Sequence, residues 1–184
     1  MTSFHVFIAT SLDGFIARPD GRLDWLPGAL PDGPPAPEGE DYGFDAFMAE
    51  IDVVVMGRAT FETVQALDPW PYSARMVVLS RTLTNEAIPA RLRPEVTVHP
   101  GPVDTLVAEL RAQGTGGVYV DGGQTVQAFL RAGLMDTLVI TQVPVLLGTG
   151  LSLFGPLTQD VWFEHLETRS FPSGLVQSRY RARR

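Results

Sequence analysis

A short apolar segment, followed by two glycines and a helical pattern, constrains the fold of this chain most. Residues 118–120 (Val-Tyr-Val) are β-branched or aromatic, as is typical of a buried strand. Gly122 and Gly123 then permit a turn without interference from a Cβ atom, and residues 124–130 carry apolar side chains at helical spacing. Such a strand–turn–helix leaves N–H groups and the positive end of the helix dipole free to hold a phosphate. On this segment alone, an unliganded tight turn explains the pattern equally well.

Two further strand ends carry groups that suit a phosphate. The apolar runs 53–56 and 75–79 each lead into a polar turn. The turn residues are Gly57, Arg58, Thr60, Ser80 and Arg81. Because strands that alternate with helices form a mainly parallel sheet, all three turns should lie at one edge, where open α/β sheets bind ligands. Three such turns favour a dinucleotide or phosphate ligand over a solvated edge.

The order of the patterns predicts an α/β fold. Strand patterns alternate with helical patterns from Phe4 to about residue 143. Residues 161–170 and 175–183 flank a Phe-Pro-Ser-Gly turn, which indicates a closing antiparallel hairpin. We therefore predict a single domain over residues 1–184, with a mixed, mainly parallel sheet between two helical layers (α/β/α). The alternating arginines 179, 181 and 183 indicate a solvated edge strand, with phosphate binding or a subunit contact as the alternatives.

Composition excludes several classes of protein. The chain has no cysteine, so disulfides, thiolate catalysis and Cys-based metal sites are ruled out. Its three histidines are far apart in sequence, and we expect no metal site. A net charge of −7 argues against nucleic-acid or anionic-membrane partners. Without a signal-peptide pattern or a long apolar run, we expect a cytoplasmic protein with a small-molecule substrate.

Five motifs occur in an order that resembles the dihydrofolate reductase superfamily. They are Ser11–Ala17 (Ser-Leu-Asp-Gly-Phe-Ile-Ala), Val55–Glu62 (with Met-Gly-Arg-Ala-Thr), Val78–Arg81, Val120–Gly123 and Pro144–Gly150. Within it, the chain is similar to small bacterial proteins related to the reductase domain of bifunctional riboflavin-biosynthesis deaminase/reductases. The resemblance runs from Phe4 to about Phe154. It implies a mixed, mainly parallel sheet flanked by helices, with NADPH as the cofactor.

The resemblance also assigns residues to NADPH. The residues that would bind its phosphates are Gly57, Arg58, Thr60, Gly122, Gly123, Gln124 and Thr125. Ser80 and Arg81 would bind the adenosine 2′-phosphate, which would favour NADPH over NADH. The nicotinamide pocket would be lined, partly through the backbone, by Ala9, Thr10 and Ile16. For the side chains of Ala9 and Ile16, plain core packing is an equally good interpretation.

The proton donor and the substrate contacts follow from the same resemblance. Dihydrofolate reductases have an acidic residue at the start of the helix before the Met-Gly-Arg strand, and Asp41 stands at about this position. Asp41 is also a good N-cap, which would be a purely structural role. Asp13 and Trp25 are candidates for substrate contact, with a turn and a surface anchor as the respective alternatives. The Pro/Gly-rich loop 27–40 would close over the substrate.

The sequence thus predicts an NADPH-dependent reductase that delivers hydride to a C=N or C=O bond of a small heterocyclic substrate, pterin- or pyrimidine-ribose-like. Alternatives are dihydrofolate reductase proper, the 5-amino-6-(5-phosphoribosylamino)uracil reductase of riboflavin biosynthesis, and a non-catalytic NADP(H)-binding protein. Against the riboflavin step, Phe15 stands where those enzymes have a lysine. Proteins of this kind are often homodimers, and the apolar segment 144–154 is a candidate contact surface, unless it is buried in its own core.

Overall fold

The computed structural model describes residues 1–29, 33–67 and 69–183. The strands in chain order are β1 (Ser3–Ser11), β2 (Phe15–Ala17), β3 (Val53–Gly57), β4 (Arg75–Leu79), β5 (Val96–His99), β6 (Gly117–Asp121), β7 (Thr137–Val143), β8 (Leu151–Ser152), β9 (Phe163–Ser170) and β10 (Val176–Ala182). The α-helices are α1 (Phe44–Met48), α2 (Arg58–Val64), α3 (Val103–Ala112) and α4 (Gly123–Arg131).

Eight strands form one sheet in the order β5-β4-β3-β6-β1-β7-β10-β9, and β2 pairs with β8 separately. The neighbours from β5 to β7 are parallel, whereas β10 is antiparallel to both β7 and β9. This confirms the predicted mixed, mainly parallel sheet with a closing hairpin. The prediction that the arginine-bearing strand is an edge strand was wrong, because β10 lies between β7 and β9. There Arg179 and Arg181 face acidic side chains of β9.

Helices cover both faces of the central strands, which gives three layers. On one face, α3 and α4 pack on a cluster that includes Phe4, Val6 and Phe129. The rings of Phe4 and Phe129 lie 5.2 Å apart between centroids. On the other face, α1 and α2 pack on a second cluster that includes Val54 and Phe61. Because both faces are buried, the central strands are apolar throughout instead of alternating, as the sequence indicated.

The helix that follows the predicted N-cap Asp41 begins later than that role requires. Tyr42 and Gly43 have positive φ angles of 56° and 82°, so regular helix starts only at Phe44. In the preceding loop, the Gly28 N–H donates to the Pro34 carbonyl at 2.8 Å. The part of the predicted lid at residues 30–32 lies outside the described residues. No helix in the described part of the chain has the length and apolar character needed to cross a membrane.

Candidate functional site

The turns at Gly57 and Gly122 lie side by side at the carboxyl edge of the sheet. Both glycines directly precede a helix, α2 and α4 respectively, and β3 and β6 are parallel neighbours. A methyl group in place of the Gly122 hydrogen would lie 2.2 Å from Oγ1 of Thr60, and one on Gly57 would lie 3.2 Å from Oγ1 of Thr125. Two helix N-termini, each with N–H groups that lack an intrahelical acceptor, therefore meet in one place.

The close approach gives the glycines a role that the sequence did not reveal. Their missing side chains make room for neighbouring protein atoms, not directly for a ligand. A Cβ atom on Gly123 would lie 2.7 Å from the carbonyl oxygen of Ser152 and 3.2 Å from Cδ1 of Ile16. The small β2–β8 sheet thus packs on the start of α4. Gln124, the next residue of α4, is exposed, whereas Thr125 is buried.

The predicted 2′-phosphate residues lie next to the first of these turns. The register of β3 and β4 pairs Gly57 with Leu79, which places Ser80 beside the start of α2. Arg58 donates to Thr82 at 2.9 Å and forms an ion pair with Glu62 at 2.6 Å.

Ser80 and Arg81 differ in how free their side chains are. The Ser80 hydroxyl accepts the N–H of Leu83 at 2.9 Å, which shapes the turn. In the part of the chain that the structure describes, the Arg81 side chain makes no ion pair or hydrogen bond, and it is exposed. A free guanidinium group at this edge is suited to bind an anion.

The two predicted nicotinamide-pocket residues of β1 have side chains on opposite faces of the sheet. Ala9 packs in a small cluster that contains Trp25 and Val143. Thr10 is buried and lines a cavity of about 160 Å³ that also borders Ile140. A ligand bound on one face of the sheet could therefore contact the side chain of Ala9 or that of Thr10, but not both.

Asp121 is an ionisable group that the sequence reasoning missed. It ends β6, directly before the two glycines, and is 9% exposed. Its Oδ1 accepts the Gly122 N–H at 2.8 Å, and the Tyr72 hydroxyl lies 3.4 Å from its Oδ2. Burial raises the pKa of the Asp121 carboxyl to about 6. A carboxylate at the end of an apolar strand, immediately before Gly-Gly, was the signal in the sequence.

Trp25 is buried, not a surface anchor. It is 5% exposed and packs against Val143 and Leu175. Its indole Nε1–H finds no hydrogen-bond acceptor among the described residues. A buried indole N–H normally has a partner, so an acceptor from outside the chain fits this position. Ala9 lies in the same cluster, on the strand between β6 and β7.

Asp41 is not the N-cap residue of α1, which is Gly43, but its carboxylate accepts hydrogen bonds from the backbone at the start of this helix. Its two carboxylate oxygens accept the N–H groups of Gly43 and Asp45, at 2.9 and 3.0 Å. These hydrogen bonds, that of Gly43 foremost, lower the pKa of the exposed Asp41 carboxyl. A group that donates a proton at neutral pH needs a raised pKa. The geometry thus favours the structural interpretation of Asp41, whereas the pKa of the Asp121 carboxyl is shifted in the direction that a proton donor needs.

Asp13 ties two loops together. Its Oδ1 accepts the Ser11 hydroxyl at 2.6 Å, and its Oδ2 accepts the Gly148 N–H at 2.8 Å. Hydrogen bonds, first that from Ser11, lower the pKa of the Asp13 carboxyl. Both oxygens are therefore engaged within the chain, as expected of the turn residue that was the alternative to substrate contact.

Comparison with known proteins agrees with this architecture. Residues 3–177 match the protein-family model described as RibD C-terminal domain. The uncharacterized protein YwjB of Bacillus subtilis is 32% identical over 170 residues, which cover 90% of each chain. The crystal structure of a putative riboflavin biosynthesis protein from Shewanella sp. PV-4 is 40% identical, with a TM-score of 0.89 over 100% of both chains.

The fold is also that of dihydrofolate reductase. The enzyme from Enterococcus faecalis, whose structure contains NADP(H), is 18% identical, with a TM-score of 0.66. The match covers 99% of this chain and 97% of the enzyme. At this identity the likeness concerns the fold alone.

Replacing Gly122 tests the contact between the two helix starts. Gly122→Ala forces a Cβ atom against Thr60 at a φ of 84°, so we expect the free energy of unfolding to fall by roughly 2–4 kcal/mol. Gly133→Ala is the matched control, because Gly133 also has a positive φ but no atom within 4 Å of the added Cβ. The control should lose only about 1 kcal/mol in urea unfolding. Equal losses would contradict the proposed contact.

The Asp121 carboxyl should make stability depend on pH. With a folded-state pKa of about 6 and an unfolded value of about 3.9, the native state binds the extra proton between these values. The free energy of unfolding therefore falls as pH rises from about 4 to 6 and levels off above that. Relative to Asp121→Asn, the wild type should lose roughly 2–3 kcal/mol across this window. Exposed Asp160→Asn is the control, and a pH-independent difference between wild type and Asp121→Asn would refute the assignment.

Proposed function

The chain belongs to the RibD C-terminal domain family, and we propose that it is an NADPH-dependent reductase. Its substrate would be a small heterocycle, pterin- or pyrimidine-ribose-like, reduced at a C=N or C=O bond. The observation that carries the proposal is the meeting of the α2 and α4 N-termini at the carboxyl edge of the sheet, beside Arg58 and Arg81. The likeness to an NADP(H)-bound dihydrofolate reductase supports the choice of cofactor.

The groups at this edge suit the phosphates of a dinucleotide. The first-turn N–H groups of α2 and α4, the Thr60 hydroxyl and the guanidinium groups are all donors to phosphate oxygens. The exposed carboxylate of Glu62 is already paired with Arg58. The pyrophosphate would lie at residues 122–125 and at Gly57. Arg81, with its free side chain, would hold the 2′-phosphate that distinguishes NADPH from NADH.

Asp121 is the residue that we expect to hold the proton for the reduced substrate atom. When bound, NADPH supplies the hydride. The carboxyl of Asp121 is partly protonated near neutral pH because its pKa is raised to about 6. Tyr72, whose hydroxyl lies 3.4 Å from Oδ2, orients the carboxyl. Asp41 remains the weaker candidate for this role, since both of its oxygens accept backbone N–H groups.

Trp25 would supply a second polar contact to the substrate. Its free indole N–H requires an acceptor, and a carbonyl or ring nitrogen of a heterocycle provides one. Trp25 packs near Ala9 on the central strand, on the same sheet face as the ring of Tyr72. Trp25 and Asp121 would contact the substrate from different sides. Val143 and Leu175 would exclude water behind Trp25.

The pyrimidine reductase step of riboflavin biosynthesis is the second candidate. The family description and the Shewanella protein, 40% identical, favour it over dihydrofolate reduction. Phe15 argues against an unchanged substrate, because its ring packs toward Gly150 where a lysine would carry charge. An NADPH-oxidation screen with dihydrofolate and with pyrimidine ribosides distinguishes the two. Oxidation of neither, with tight NADPH binding, would favour a non-catalytic binding protein.

Arg81→Ala tests the cofactor assignment. Loss of a charge-assisted contact to the 2′-phosphate should weaken NADPH binding roughly 10- to 100-fold and leave NADH binding nearly unchanged. The affinities follow from titration of the intrinsic tryptophan fluorescence. Arg111→Ala, an exposed arginine in the last turn of α3, should change neither affinity. Equal losses for both dinucleotides in Arg81→Ala would refute the 2′-phosphate site, and absence of NADPH binding by the wild type would refute the reductase.

A further inference from the structure

A cavity of about 220 Å³, the hairpin cavity, lies between α1 and the closing hairpin of β9 and β10. Ala46 and Phe47 of α1 form one wall, and Arg169 and Gln177 belong to the hairpin wall. In the sheet, β1 and β7 separate β10 from β6 and β3, at whose ends the cofactor is proposed to bind. Pockets for drug-sized ligands have volumes of roughly 300–1,000 Å³. The hairpin cavity is thus a separate space, suited to one small metabolite.

Four polar side chains of the hairpin wall form a square of alternating character. The strand register places Gln177 opposite Arg169 and Arg179 opposite Glu167, and all four line the cavity. The two guanidinium groups therefore lie on one diagonal, and the amide and the carboxylate lie on the other. Arg179 and Glu167 are 4.0 Å apart, longer than a hydrogen bond, so both can still bind a ligand. Diagonal neighbours of a ladder are about 7–8 Å apart, so one small molecule can contact all four.

Gln177 presents a fixed hydrogen-bond acceptor to the hairpin cavity. Its side chain is buried, with the residue only 8% exposed, and its Nε2 donates to the Tyr42 carbonyl at 3.0 Å and to Oγ1 of Thr141 at 2.9 Å. Because a carbonyl can only accept, these bonds fix which end of the amide is the nitrogen. In the part of the chain that the structure describes, no group donates to Oε1 of Gln177. Buried acceptors normally have a donor, so an N–H group of a ligand fits this position.

Arg169 supplies a cation beside this acceptor. Its side chain makes no ion pair or hydrogen bond within the described ranges. His5 also lines the cavity, but its ring nitrogens lie 2.7 and 2.8 Å from the hydroxyls of Thr137 and Ser3. Burial lowers the pKa of the His5 imidazole, so the ring is neutral at pH 7. An anionic group of a ligand therefore binds at the arginines and not at His5.

The charged groups that line the hairpin cavity balance one another. The two arginines of the square are opposed by Glu167 and by Glu50, which lies on the α1 wall. A ligand with net charge of either sign would be attracted by two of these groups and repelled by the other two. A ligand that carries both charges close together, with no net charge, can place each charge beside its opposite. The lining thus favours a zwitterion.

We propose that the hairpin cavity binds a free α-amino acid with an apolar side chain. The α-carboxylate accepts hydrogen bonds from the two guanidinium groups, and the α-ammonium group donates to Oε1 of Gln177 and to the Glu167 carboxylate. The side chain of the ligand lies on Val139, opposite the hairpin in the ladder, and on Phe47 of α1. None of these residues is assigned to the cofactor or to the reduced substrate, so the proposal does not depend on the reductase function.

Isothermal titration calorimetry with L-leucine and L-phenylalanine tests the class of ligand. The wild type should bind at least one of them with a Kd below about 1 mM. The amide of the same amino acid lacks the carboxylate, and its N-acetyl derivative lacks the ammonium group. Each derivative should bind at least about tenfold more weakly, because one diagonal of the square then has no partner. A wild type that binds neither amino acid, or that binds the derivatives equally well, overturns the proposal.

Arg169→Gln tests the place of binding. Loss of a charge-assisted contact should weaken binding of the amino acid roughly 10- to 100-fold. The Arg169 side chain makes no bond within the described ranges, so the variant should fold, which circular dichroism checks. Arg131→Gln removes an arginine at the end of α4 and is the matched control, which should bind like the wild type. Undiminished binding by Arg169→Gln would reject the hairpin cavity as the site.

Discussion

The site depends on the close approach of the α2 and α4 N-termini. The approach is possible because Gly122 adopts a φ of 84° and lacks the Cβ atom that would collide with Thr60. Parallel strands deliver both helices to the same edge, since β3 and β6 are neighbours with their carboxyl ends together. The N–H groups at the two helix starts and the Thr60 hydroxyl take their positions from this contact. The β2–β8 sheet then packs over Gly123 and fixes the start of α4 from outside.

The carboxyl groups near the site are of two kinds, with lowered and with raised pKa values. Asp13 and Asp41 are exposed and have lowered pKa values, because Asp13 accepts hydrogen bonds first from the Ser11 hydroxyl and then from backbone N–H groups, and Asp41 accepts them from backbone N–H groups. Asp121 is buried near the aromatic residues Tyr72 and Tyr119, and the desolvation cost of its charge raises its pKa to about 6. Carboxyl groups whose environments shift their pKa values in opposite directions are suited to different roles, one as an ionised acceptor and the other as an acid. The ionised pair shapes loops, and Asp121 is the one with the properties of an acid.

The hairpin that closes the sheet serves a different purpose from the central strands. β3 and β6 are covered on both faces, so their sequence is apolar. β9 is exposed at every residue after Phe163, and its sequence is mostly charged and polar. The arginines of β10 are paired with the glutamates of β9, not presented to solvent at an edge as the alternation suggested. Alternation of polar residues in a sequence indicates that one face of the strand is solvated. It does not reveal which strand lies next to it in the sheet.

The sequence alone determined the α/β class, the order of the strands and helices, and the strand ends at which glycine, hydroxyl and arginine residues stand. These follow from local hydrophobic periodicity and from turn residues, which act over a few positions. Only the tertiary structure decided that Asp121 is a buried acid, that Asp41 and Asp13 are engaged by backbone amides, that Trp25 is buried with a free N–H, and that β9 is the open edge. Burial, pKa and strand neighbours arise from contacts between residues distant in sequence, such as Tyr72 with Asp121, and no local pattern encodes them.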